Sequence, residues 1–188
     1  GGGTALSLGE EAALAVGLDL DGRFSGSGTR LRAEKGIARA GFVQGDGQSL
    51  PFAGGAFDLV LSHSVIEHVL DAAAYLRECH RVLRPGGRAA VAVWAESERN
   101  PWLTVTGRAA LRLGLAERPD PEAPGPFRLA APGRLRSLLE GAGLEVHVEE
   151  EVSVTWRAGS LDEWWDVALD TSRSLAVLSA MAEIEGGR

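Results

Sequence analysis

The sequence predicts an α/β protein built on a doubly wound, mostly parallel sheet. Two observations carry this. Short apolar runs alternate with longer stretches of helical spacing, and tight glycine and proline turns separate them. One early run, Val16-Gly17-Leu18-Asp19-Leu20-Asp21, also ends in acid, as strands bordering a ligand crevice often do. At 188 residues the chain has the length for one domain with a substantial core.

Gly1-Gly2-Gly3-Thr4 is a glycine-rich turn, which lets backbone approach a ligand without an intervening side chain. A glycine run at a chain start is equally a tail. Residues 14–20 and 57–61 read as buried strands, and 89–94 as a third. Ala72, Tyr75, Leu76, Cys79, Val82 and Leu83 recur at helical steps on one face, with Asp71 as the cap and Pro85-Gly86-Gly87 as the stop. Asn100-Pro101 opens another helix with the cap and first-turn proline in order. Pro119, Pro121, Pro124 and Pro126 make residues 117–126 a loop. A helix over 132–142 follows, closed by Gly143.

Leu144, Val146, Val148, Val152, Val154 and Trp156 all fall on even positions. Period two predicts a long half-exposed strand or a hairpin at an antiparallel sheet edge. From Ser160 the spacing turns helical again, which predicts an appended helical cap. The expected organisation is a main domain over 1–158 and a helical segment over 159–188.

The formal net charge of −7 argues against a nucleic-acid partner, which needs a concentrated basic surface. No apolar run approaches the roughly 20 residues of a membrane-spanning helix. Cys79 is the only cysteine, which excludes an internal disulfide and fits a cytoplasmic protein.

The stretches GDGQSLPFAGGAFDLVLSHSVIEHV and LRECHRVLRPGGRAAVAVW carry the chemistry. They closely resemble the class I S-adenosylmethionine-dependent methyltransferases, in particular the small-molecule group that includes the quinone-biosynthesis C-methyltransferases. In that group G-D-A-x-x-L-P-F leads into F-D-x-V and then R-V-L-K/R-P-G-G. The resemblance is close over residues 14–95 and looser to about 170.

It implies a Rossmann-like fold, S-adenosylmethionine as cofactor and methyl transfer to a small-molecule acceptor. Residue by residue, it implies that Gly1 and Gly3 border the methionine end of the cofactor. Asp19, with Leu20 beside it, binds the ribose hydroxyls. Asp46 accepts from the adenine amine beside the Gly47 backbone, and Ser62 and His63 pass close to the sulfonium. Asp21 competes with Asp19, its other reading being a turn residue before Gly22.

The sequence also departs from the group. Ala5 stands where the glycine loop has its last glycine, and the interval from Ala5 to Asp19 is short. The next helix contains Ser25-Gly26-Ser27-Gly28, a poor helix former. In the family a central strand precedes the glycine loop, so the first strand of the sheet is expected to be missing here and the chain to be a fragment.

A base is needed only if the accepting atom must lose a proton. His68 and His63 are the candidates, with Glu67; the other reading of Glu67 and His68 is as cap or loop support. Ser64 occupies the place of a further carboxylate found in metal-assisted relatives, so no metal is expected. Trp94, Trp156, Trp164 and Trp165 either line an acceptor pocket or fill core. Two alternatives remain open: a non-catalytic Rossmann-like nucleotide-binding relative, and an NAD-dependent oxidoreductase.

Overall fold

A computed structural model describes residues 3–155 and 157–170. The chain divides into two compact units, Gly1–Ala92 with Arg136–Glu145, and Val93–Leu135 with Val146–Arg188.

The first unit alternates helices and strands: α1 (Gly3–Glu11), β1 (Ala15–Asp19), α2 (Gly22–Lys35), β2 (Ala40–Gln44), β3 (Phe57–His63), α3 (Ala72–Val82) and β4 (Leu83–Ala92). Both strand pairs are parallel. β1 pairs with β2 from Ala15↔Ala40 to Asp19↔Gln44, and β3 pairs with β4 from Phe57↔Leu83 to His63↔Ala92. The two ladders are separate among the described residues. The parallel strands and the strand–helix–strand order follow the sequence expectation.

Each ladder carries its own helices. Leu6 of α1 is buried with Ile37 and Ala40, and Leu31 and Phe42 pack against that cluster. A Cβ on Gly9 would stand 3.0 Å from Ile37 and 3.1 Å from Ala40, so α1 lies close on the sheet. This packing draws Gly3 and Thr4 into a helix, where a glycine turn was expected. Gly1 lies outside the described residues.

α2 forms despite its glycines because both ends are capped. Asp21 accepts from the Arg23 backbone N–H at the start, and Gly36 closes the end in the left-handed conformation at φ 68°. Gly28 is needed for contact: a Cβ there would stand 2.5 Å from the Phe42 ring.

α3 follows the predicted stripe, with Ala72, Tyr75, Leu76, Cys79 and Val82 buried and Asp71 capping through the Ala74 N–H. Between Leu83 and Arg88 the Pro85-Gly86-Gly87 turn loops out of the ladder. Arg84 pairs with Asp58 across it at 2.5 Å.

The second unit holds α4 (Pro101–Arg112) and α6 (Leu161–Asp170), while α5 (Arg134–Gly141) spans the division between units. Asn100 precedes α4 as expected, but its side chain makes no cap bond; its amide donates to the Ala95 and Glu96 carbonyls. Residues 117–126 hold no helix or strand.

The expected antiparallel edge is absent among the described residues: 144–155 carry no strand pairing. Val148, Val152 and Val154 are 74%, 71% and 84% exposed. Alternation alone supplies no partner ladder. Trp156 lies outside the described residues. No described helix is long and apolar enough to cross a membrane.

The two glycines of α2 should respond oppositely to alanine. Gly26 faces open space, so Gly26→Ala is expected to stabilise by about 0.5–1 kcal/mol. Gly28→Ala must displace Phe42 and is expected to cost about 1–3 kcal/mol. Urea unfolding of the two variants measures the contrast.

Candidate functional site

The carboxyl ends of β1 and β2 are tied together. Gly45 N–H donates to the Asp19 carbonyl at 2.9 Å, and the Gln44 amide donates to the Leu20 carbonyl at 3.1 Å. This places Asp19, Leu20 and Asp46 at one end of one ladder. Asp19, Leu20 and Asp46 are all exposed. One oxygen of Asp19 accepts from the Asp21 N–H at 2.9 Å.

Asp21 is differently engaged. Its carboxylate accepts from the Arg23 backbone N–H at 2.9 Å and pairs with the Arg23 guanidinium at 2.5 Å. The guanidinium bonds hold its pKa below the usual carboxylate value. Asp21 is thus a helix cap with an ion pair of its own.

Asp46 opens a tight turn, accepting from the Gln48 N–H at 2.8 Å and from the Gln48 amide at 3.2 Å. The segment that follows is held by α3 at successive helical turns. Gln48 Oε1 accepts from the Asp71 N–H at 2.8 Å. The Tyr75 ring fills the space beside Gly47, where a Cβ would stand 2.5 Å from its Cε2. Glu78 accepts from the Leu50 N–H at 2.7 Å. Arg81 donates to the Phe52 and Leu50 carbonyls at 2.8 and 3.0 Å, and is itself held by Glu78 at 2.6 Å. A segment without regular structure thereby has its backbone groups satisfied by one helix face.

At the end of β3, Ser62 is buried and His63 exposed. Tyr75 donates to Ser62 Oγ at 2.9 Å. α3 therefore touches both the Asp46–Gly47 turn and the β3 terminus. Ser64 has φ 51°, a left-handed conformation uncommon outside glycine, and its N–H extends the ladder to the Ala92 carbonyl at 3.0 Å. The 3-10 turn Ile66–His68 then buries Ile66 and Glu67 completely. His68 is exposed.

Sequence reasoning missed the weight of Glu67, Tyr75 and Gln48. Tyr75 is the only tyrosine, on a core stripe, and a lone phenol there needs a polar partner. Glu67 follows Val65-Ile66, and nothing in that context signals its burial, since a carboxylate is rarely buried. Gln48 offered no signal beyond its place after Asp46-Gly47. The aromatic candidates fall in the second unit, where Trp94 meets Trp102 edge to face at 5.5 Å and Trp164 meets Trp165 at 5.7 Å.

Neither carboxylate oxygen of Glu67 has a hydrogen-bond partner. Burial pushes its pKa up from 4.5 to about 7. An unfolded chain releases that proton near 4.5, so between 4.5 and 7 the folded state binds more protons than the unfolded. The contribution of Glu67 to stability should be greatest below 4.5, decline as pH rises, and level off above 7, a change of about 3 kcal/mol from this group. Glu67→Gln should flatten this decline. Urea midpoints at pH 5 and pH 8 measure it, and an undiminished slope in the variant would assign the titration to another group.

Residues 1–91 match the family described as methyltransferase domain, Methyltransf_11. A ubiquinone biosynthesis O-methyltransferase from Dinoroseobacter shibae is 34% identical over 120 residues, covering 62% of this chain and 45% of that protein. The chain spans less than half the length of this relative and of another O-methyltransferase of that description from Ruegeria pomeroyi, 32% identical over 117 residues. Among solved structures, the cyclase SpnF superposes with a TM-score of 0.63 at 20% identity, covering 98% of this chain and 65% of that one. Likeness at that identity shows the fold alone: a Rossmann-like α/β fold with parallel strands. Over residues 1–91 the chain is therefore similar to the methyltransferase domain family, and over 120 residues to an O-methyltransferase of ubiquinone biosynthesis.

Proposed function

We propose that this chain binds S-adenosylmethionine and transfers its methyl group to a small-molecule acceptor. The observation that carries the reading is the pair of exposed carboxylates, Asp19 and Asp46, at one end of the β1–β2 ladder within the family's matched region. Carboxylates are acceptor-only groups, and an adenosine offers donors in its ribose hydroxyls and exocyclic amine. The donor set of the cofactor therefore fits the residues present.

In this reading Asp19 holds the ribose, with the Leu20 backbone beside it, and Asp46 and Gly47 hold the adenine. Asp21 is already engaged by Arg23, which favours Asp19 for the ribose. Ser62 and His63 border the sulfonium, and Gly1 and Gly3 the methionine end. The bound cofactor supplies an activated methyl group for in-line displacement. The chain's own work is to orient the acceptor and exclude water. A proton leaving the acceptor would go to His68 or His63, both exposed, His63 as the last residue of β3 and His68 just beyond it.

The finer architecture belongs to the same reading. β1 and β3 are each paired along one edge among the described residues, and a further strand between them would join both ladders into one doubly wound sheet.

The matched relatives from Dinoroseobacter and Ruegeria carry O-methyltransferase in their names, which makes a hydroxyl the first acceptor atom to test. S-adenosylmethionine and S-adenosylhomocysteine are expected to raise the melting temperature, and NAD to leave it unchanged. Asp19→Ala and Asp46→Ala should each weaken S-adenosylhomocysteine binding by about 1–3 kcal/mol in calorimetry, because each strands ligand donors without a partner. Stabilisation by NAD alone would support an oxidoreductase, and cofactor binding without turnover on any phenolic acceptor would support a non-catalytic relative.

A further inference from the structure

We propose that Tyr75 is a positioning residue that locks the adenine-side turn at Gly47 to the sulfonium-side strand end at Ser62, so that one side chain sets the spacing between the two halves of the cofactor site. This rests on the site reading above.

The ring and the hydroxyl of Tyr75 do different things. The ring lies against Gly47 so closely that a Cβ there would stand 2.5 Å from Cε2 and 2.7 Å from Cδ2. Any side chain at Gly47 would push the ring or the turn away. The hydroxyl donates to Ser62 Oγ at 2.9 Å, with both side chains buried. Each phenol has one proton to donate, so this bond fixes the direction of the pair and leaves the Ser62 hydroxyl its own proton for another acceptor.

The base of the tyrosine cannot drift. α3 is capped by Asp71, whose N–H also holds Gln48, and Glu78 and Arg81 anchor the following segment one and two turns on. The other ionisable groups facing the phenol are Cys79 on its own helix and Glu67 from the turn after β3. Burial above all pushes the phenol's pKa up to about 12, so it stays a neutral donor over the working range.

The two parts can be separated by substitution. Tyr75→Phe keeps the ring against Gly47 and removes only the bond to Ser62. It should weaken S-adenosylhomocysteine binding about three- to tenfold, the size of one hydrogen bond, while adenosine binds as it does to the parent. Ser62→Ala should do the same, and the double variant should lose no more than either single one. Gly47→Ala displaces the ring and should weaken both ligands.

Calorimetric titration of the 188-residue chain with each ligand, with adenosine also measured by displacement, reads all four variants. The proposal is overturned if Tyr75→Phe binds S-adenosylhomocysteine as the parent does, if the losses of Tyr75→Phe and Ser62→Ala add, or if Tyr75→Phe lowers only the melting temperature. Failure of the underlying site reading looks different: Asp19→Ala and Asp46→Ala would then leave both ligands bound as in the parent.

Discussion

The site depends on the face that α3 turns toward residues 46–52. That segment leaves β2 and runs to β3 without a ladder or helix of its own, so its backbone donors and acceptors need partners elsewhere. Leu50 and Phe52 find them at Glu78 and Arg81, the Gln48 side chain accepts from the Asp71 N–H, and Gly47 finds its packing at Tyr75. These four positions follow one another at roughly one-turn steps, so a single rigid helix fixes the whole segment. Arg81 is suited to this because its planar fork reaches two carbonyls while Glu78 holds its other edge. Loss of this face would release the Asp46 turn, and with it one side of the candidate cofactor site.

The same helix explains what was legible in the sequence. Its apolar stripe has helical spacing, and every member from Ala72 to Val82 is buried, as is Leu83, which opens β4. Periodicity reports burial well when an element carries its own hydrogen bonds, as a helix does. It reports poorly when a partner must supply them. The alternating valines of 144–154 have the period of a strand, yet no ladder pairs them among the described residues. α2 shows the converse failure: its glycines argue against a helix, but the Asp21 cap, the Gly36 terminus and the Gly28–Phe42 contact outweigh local propensity. Asn100 had the right position for a cap and spends its amide on preceding carbonyls instead.

For the site, the carboxylates were readable because their chemistry and strand-end positions are local properties of the chain. What ties the Asp46–Gly47 turn to the end of β3 was not. Tyr75 looks like any core residue in its stripe, and its hydroxyl acquires meaning only once β3 brings Ser62 alongside. Glu67 is similar: its identity is plain in the sequence, but its burial without partners comes from the turn that follows the left-handed Ser64. Contacts between distant segments are tertiary facts, and residue spacing does not encode them.

The unequal legibility of cofactor and acceptor has a physical origin. Adenosine is recognised by a few acceptors and backbone groups at strand ends, which the parallel fold supplies in fixed places. Displacement at an activated methyl needs alignment more than specialised side chains, so the reaction leaves few marks in the sequence. The likeness to the cyclase SpnF shows the consequence, since a shared fold there accompanies a different named reaction. What distinguishes reactions on this scaffold is how the acceptor is held and whether a base stands near it. His63 and His68 are exposed, so an acceptor that reached either imidazole would itself set how far water is excluded around it. In the proposed reading, the groups that would bind the cofactor stand at strand ends of the fold, whereas the chemical half of the site would be completed by the acceptor.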